Sequence, residues 1–147
     1  MWRIESGLFV STDSDAANLD LLQAIPMTHV VNCALELPNH FSYLRLDLED
    51  PDTGLIDCLD DVCQFIDKHI ADGKVLVHCH GAVSRSPSVV LAYLCHKGQT
   101  LVQAAESVAA ILPTCPNIIF LEQICQHFGF SLNEDELLQI ATILRQD

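Results

Sequence analysis

Positive charge is what this chain has least of. Only seven of its 147 residues are lysine or arginine, against 20 aspartates and glutamates, for a formal net charge of −13. Nucleic-acid backbones and anionic membrane surfaces are held by a basic footprint, so neither is expected as a partner. Any anionic group bound here must be gripped by a local arrangement instead of a broad field. Long apolar runs are missing too: no stretch approaches the roughly eighteen consecutive apolar residues of a membrane span. The N-terminus has no basic start followed by an apolar run, so no signal peptide is expected. The seven cysteines show neither a CxxC nor a paired Cys/His spacing of the zinc type. They read as mostly reduced core residues of an intracellular protein, cytoplasmic with the nucleus as a second compartment. There is no internal repeat, low-complexity tract or linker.

Against these absences, 50% of the residues are apolar, enough for a globular chain with one substantial core. The alternation in "R-I-E-S-G-L-F-V-S" (3–11) predicts a strand pair turning at Gly7. Residues 13–24 read as a short helix ended by Pro26, and 28–34 and 43–48 as β-rich runs. Leu55, Leu59, Val62, Ile66 and Ile70 form the apolar face of a long helix, with Gly73 as its expected C-terminal cap. "K-V-L-V-H-C" (74–79) is a buried strand, and a helix opens around Ser84–Pro87 and stops at Gly98. Further helices are expected at 101–112 and at 117–128, the latter between Asn117 as N-cap and Gly129. Strands mixed with helices, then helices alone, imply an α/β fold with one sheet between helices.

Chemistry concentrates where that buried strand meets its helix, in "V-H-C-H-G-A-V-S-R-S" (77–86). Cleaving a phosphate monoester needs a nucleophile ionised at neutral pH, donors for three equatorial oxygens, and an acid for the leaving oxygen. The backbone N–H groups of His80, Gly81, Ala82, Val83, Ser84 and Arg85 can curl into an anion nest, backed by a helix N-terminus. The same field favours the thiolate of Cys79. Arg85, six residues on, carries a planar fork matched to two phosphate oxygens, and the Ser86 hydroxyl can donate to the sulfur. A cysteine with an arginine six residues later arises by chance in about one such chain in five; the preceding strand and following helix give the pair its weight. His78, Cys79 and His80 are consecutive and alternate in direction on a strand, so no metal site is expected, nor any cofactor. For the acid, Asp50 and Asp52 both fall just past the end of the preceding strand, on the sheet edge where Cys79 lies.

These residues resemble the cysteine-dependent protein tyrosine phosphatases, whose signature is His-Cys-x5-Arg-Ser/Thr. The loop is most similar to the small, atypical dual-specificity branch, with its His-Cys-x-x-Gly-x-Ser-Arg-Ser. "L-F-V-S…A-A-N-L-D-L-L…T-H-V-V-N-C-A" and "P-N-I-I-F-L-E-Q-I" (116–124) extend the likeness over most of the chain. The resemblance implies a central mixed, mostly parallel sheet flanked by helices, with the catalytic loop between a buried strand and a helix. It implies Cys79 as nucleophile, Arg85 as phosphate and transition-state ligand, Ser86 as helper in thiophosphate breakdown, and His78 and Asn117 as supports of the loop. The family's acid stands roughly thirty residues before the cysteine; Asp50 is 29 residues before Cys79, with Asp52 in reserve at 27.

One departure stands out. The family's glycine three residues after the cysteine is Ala82 here, and Gly81 lies one place early. If position 82 needs a positive φ, alanine costs about 1 kcal/mol or more. The expected substrate is a phosphoprotein, phosphotyrosine first and phosphoserine/threonine in a shallow pocket, since Arg85 is the sole basic residue among 81–86. The alternative is a phosphate-binding pseudophosphatase or a partner-binding module, with turnover weakened because Ala82 replaces the loop glycine. The domain is expected over 1–130. Residues 131–147 add a helix with an Asn133/Glu136 capping box and an apolar face of Leu137, Ile140, Ala141 and Leu144. That face packs on the core or serves a partner, and a monomer is the default.

Overall fold

A computed structural model describes residues 1–33, 42–45 and 55–146. In chain order the elements are β1 (Trp2–Glu5), β2 (Leu8–Ser11), α1 (Asp13–Ala16), α2 (Leu19–Ala24), β3 (His29–Asn32), β4 (Ser42–Arg45), α3 (Leu55–Ile70), β5 (Val75–His78), α4 (Arg85–His96), α5 (Leu101–Ala109), α6 (Ile118–Phe128) and α7 (Glu134–Arg145). The five strands form one sheet in the order β1-β2-β5-β3-β4. β1 runs antiparallel to β2, and the other pairings are parallel. This is the mixed, mostly parallel α/β sheet that the resemblance implied.

Alternation along β5 explains the layers. Val75, Val77 and Cys79 enter the large core that α3 to α7 build on one face, whereas Leu76 joins a smaller cluster with Ala16, Leu22, Met27 and Val30 on the other. A strand buried on both faces reads as a continuous apolar run, as 75–77 does. In register, Ser11 and Asn32 flank His78, and Arg45 lies beside Asn32. The parallel strands therefore end together at one edge of the sheet.

Several boundaries differ from the sequence reading. The helix expected over 13–24 is two, because Thr12 and Asn18 each cap a start with their own side chain. α5 stops at Ala109, where Ile111 and Leu112 both donate to the Val108 carbonyl ahead of Pro113. Gly73 is not a left-handed cap: the glycines at positive φ are Gly7, Gly98 and Gly129. Instead it gives way to Thr28, whose Oγ1 lies 2.3 Å from where a Cβ would stand. α7 has both halves of its capping box, and Leu137, Ile140, Ala141 and Leu144 are buried in the main core. No helix among the described residues is long and apolar enough to cross a membrane.

Candidate active site

The loop of residues 79–84 leaves the carboxyl end of β5 and enters α4 at Arg85. Three of its carbonyls accept backbone hydrogen bonds. His80 accepts from the Asp13 N–H at 3.2 Å, Val83 from the Cys115 N–H at 2.8 Å, and Ser84 from the Ser88 N–H at 3.0 Å. In a planar trans peptide the next residue's N–H points opposite to the carbonyl. In these three peptide units the N–H groups of Gly81, Ser84 and Arg85 therefore point away from the bonded carbonyls. The loop thus stands at the head of a helix, whose N-terminus favours anions.

Cys79 Sγ lies 3.0 Å from Ser86 Oγ, both deeply buried at the base of the loop. Arg85 reaches back across the edge, its Nη1 donating to the Cys33 carbonyl at 3.4 Å. Cys33 follows β3 and donates its own N–H to the His78 carbonyl at 2.8 Å. Asn117 meets the loop through its backbone N–H, which donates to Ser84 Oγ at 2.9 Å, while its side chain caps α6. Ser84 occupies the N-cap position of α4, but its side chain makes no cap hydrogen bond there. Ser88 Oγ donates to the Ser84 carbonyl at 2.6 Å. Gly81 and His80 are exposed at the rim, as is Val83.

Polar burial follows this geometry. Among the described residues the buried polar side chains are Ser11, Asn32, His78, Ser84, Ser86, Ser88 and Thr114. Each belongs to a strand end, the loop, the first turn of α4 or the segment braced against it. Neither ring nitrogen of His78 closes a hydrogen bond among the described residues. Burial pushes its pKa down, opposed by the Cys79 backbone and the Asp13 carboxylate. Burial first, then the neighbouring Cys79, raises the Cys33 thiol well above its usual range, with Arg85 opposing. Burial likewise pushes Cys58 up to about 11 and Cys63 and Cys95 to about 12, so these thiols stay protonated at neutral pH. All seven cysteines are free. Among the described residues no group of three or more His, Cys, Asp or Glu could hold a metal ion.

Ala82 has φ +57° and is buried. The position does take the left-handed conformation that favours glycine, while Gly81, one place earlier, does not. A Cβ at Gly81 would meet nothing nearer than Val83 Cγ2 at 3.6 Å, so neither space nor φ requires that glycine.

The family model described as "Dual specificity phosphatase, catalytic domain" matches residues 8–129. The chain belongs to the dual specificity phosphatase family. It is 36% identical over 129 residues to Dual specificity protein phosphatase 1 of Arabidopsis thaliana, covering 82% of this chain and 65% of that protein. Dual specificity protein phosphatase 1B of the same plant is also 36% identical, over 131 residues, with 84% and 78% covered. Among solved structures, human DUSP28 superimposes with a TM-score of 0.81 at 27% identity, covering 88% of this chain and 96% of that one. The human tyrosine phosphatase-like serine/threonine/tyrosine-interacting protein gives 0.82 at 30% identity, covering 88% and 95%.

Of the residues singled out from the sequence, Cys79, Arg85 and Ser86, the loop residues 80–84, His78 and Asn117 come together at one sheet edge. Asp50 and Asp52 lie outside the described residues. Two neighbours escaped the sequence reading. Asp13 holds His80 twice, by its N–H and by its carboxylate, which lies 2.7 Å from Nδ1. Cys33 stands beside both Cys79 and Arg85. Cys33 was traceable, since it lies one residue past a parallel strand, as Cys79 does. Asp13 reads in sequence only as a helix start.

Proposed function

We propose that this chain hydrolyses phosphate monoesters on proteins, phosphotyrosine and also phosphoserine/threonine, through a phosphocysteine intermediate. The observation that carries the reading is the Cys79 sulfur at the base of the nest, 3.0 Å from Ser86 Oγ, with Arg85 opening the helix behind it. The Cys79 thiolate attacks phosphorus; a sulfur–phosphorus bond forms as the phosphorus–oxygen bond breaks. Loop N–H groups and the Arg85 guanidinium hold the equatorial oxygens. Asp50 protonates the departing oxygen. Water, deprotonated by the same aspartate, then attacks phosphorus, and sulfur leaves as thiolate with Ser86 Oγ donating to it. Inorganic phosphate departs and the thiolate is restored. The shortage of positive charge favours phosphoprotein over inositol lipid or RNA ends.

A second reading rests on Ala82. An L-residue at φ +57° is strained by about 1 kcal/mol, which favours a cradle that grips phosphate and turns it over slowly. One experiment separates the two. Under reducing conditions the wild-type protein should hydrolyse an aryl phosphate, Cys79→Ser should abolish turnover, and Asp50→Ala should lower it by about 10²–10⁴-fold. Absence of Cys79-dependent hydrolysis in the wild type would leave the binding reading standing.

A further inference from the structure

The last helix reaches the loop, although it lies beyond the matched region of 8–129. The Cys115 N–H donates to the Val83 carbonyl at 2.8 Å, and the Thr114 N–H donates to the Leu144 carbonyl at 2.9 Å. Two backbone hydrogen bonds thus join the loop, the segment 113–115 and the final turn of α7. Along this seam runs an open cleft of about 350 Å³ lined by Val83, Pro113, Thr114, Cys115 and Arg145. Its loop wall is apolar yet open to solvent, Val83 being 51% exposed. Its far wall is formed by Arg145, one of four arginines in a chain of net charge −13. A peptide whose phosphorylated residue sits in the nest must lead its neighbouring residues over the loop's rim, and Val83 belongs to that rim.

We propose that this cleft is a specificity subsite for the substrate peptide, taking a glutamate side chain that flanks the phosphorylated residue. Its methylenes lie on Val83 and Pro113, and its carboxylate meets Arg145. A guanidinium has five N–H donors in a planar fork, so Arg145, which already has a contact within the chain, can hold more than one acceptor. Glutamate suits the site because it pairs an aliphatic stem with a planar acceptor matched to that fork. In a strongly acidic protein an acidic peptide needs such a local reversal of sign to dock. The proposal rests on the reading of residues 79–86 as a phosphate site, and its test is arranged to separate the two.

Phosphotyrosine peptides carrying glutamate or glutamine at one flanking position at a time are compared by kcat/KM. Their Kd for the Cys79→Ser protein is measured in parallel. At one or more positions glutamate should be favoured by about three- to tenfold, the size of a partly exposed charge-assisted hydrogen bond. The Glu/Gln ratio should fall to about one in Arg145→Gln, drop below one in Arg145→Glu and persist in Arg145→Lys. Because the ratio is read within each variant, a general loss of activity cancels. A ratio near one at every position in the wild type, or a preference that survives Arg145→Gln, overturns the subsite. If the wild type shows no Cys79-dependent turnover, the phosphatase reading fails and the Kd ratio alone decides the subsite. If no phosphopeptide binds, the subsite falls with it.

Discussion

The two edges of the sheet solve the same backbone problem in opposite ways. At the amino edge the chain is tight and glycine makes the room. Gly7 takes φ +84°, and a Cβ there would lie 3.0 Å from Ile70 Cγ1. Gly73 passes so close to Thr28 that the threonine Oγ1 both donates to the Lys74 carbonyl at 2.9 Å and accepts from its N–H at 3.0 Å. At the carboxyl edge a positive φ falls on Ala82 instead, inside a loop whose carbonyls accept from the N–H groups of Asp13, Cys115 and Ser88. Strain is avoided where the edge only has to be stable and kept where the chemistry is proposed, a pattern met at functional loops.

That contrast can be broken most sharply at Gly73. Gly73→Ala displaces Thr28 Oγ1 and costs both of its hydrogen bonds to Lys74, about 2–3 kcal/mol, read as a lower urea midpoint at unchanged slope. An unaltered midpoint would show that the threonine simply rotates away. Gly7→Ala forces an L-residue to positive φ and should cost about 1–2 kcal/mol in the same assay.

Ala82→Gly is the mirror experiment at the other edge. Its strain relief of about 1 kcal/mol is largely offset by the about 0.4–1 kcal/mol of chain entropy that glycine adds to the unfolded state, so stability should barely move. Turnover of an aryl phosphate should rise, up to about fivefold if the relief is felt in the transition state. An unchanged or lower rate would mean that the clamped loop already fits alanine.

The finest contrast is between two histidines. His29 at the amino edge is lowered by burial and then by the charge of His69, on which its ring stacks, and His78 at the carboxyl edge by deeper burial. A base whose folded pKa is depressed stabilises the fold fully above its ordinary 6.5. That stability is lost as pH falls from there through the folded value, because the unfolded chain takes up the proton first. The urea midpoint should therefore decline from pH 7 toward 5, and His78→Asn should flatten that decline more than His29→Asn. Equal slopes would place the titrating burden elsewhere.

How much of this was legible beforehand follows the reach of each interaction. The strand 75–78, the Asn117 and Asn133 caps and the Gly129 stop depend on neighbours in sequence, and composition and periodicity exposed them. The Cys79–Ser86 proximity was legible too, being fixed by one strand-to-helix turn. The grip of Asp13 on His80 and that of Arg85 on Cys33 span 67 and 52 residues, and only the parallel register brings them together. Gly73 misled for the same reason: a glycine after a helix is usually a cap, but here a threonine 45 positions away decides its role. Ala82 was readable as a departure, while its φ of +57° was not.

In the proposed mechanism Cys79 carries the phosphoryl group during turnover. Mixing the Ser86→Ala protein with an aryl phosphate and measuring its intact mass within the first turnover tests this directly. Slowed breakdown should let an adduct of one phosphoryl group accumulate, map to Cys79 and vanish when Cys79→Ser is added. No adduct alongside steady hydrolysis, or an adduct that survives Cys79→Ser, would contradict the account.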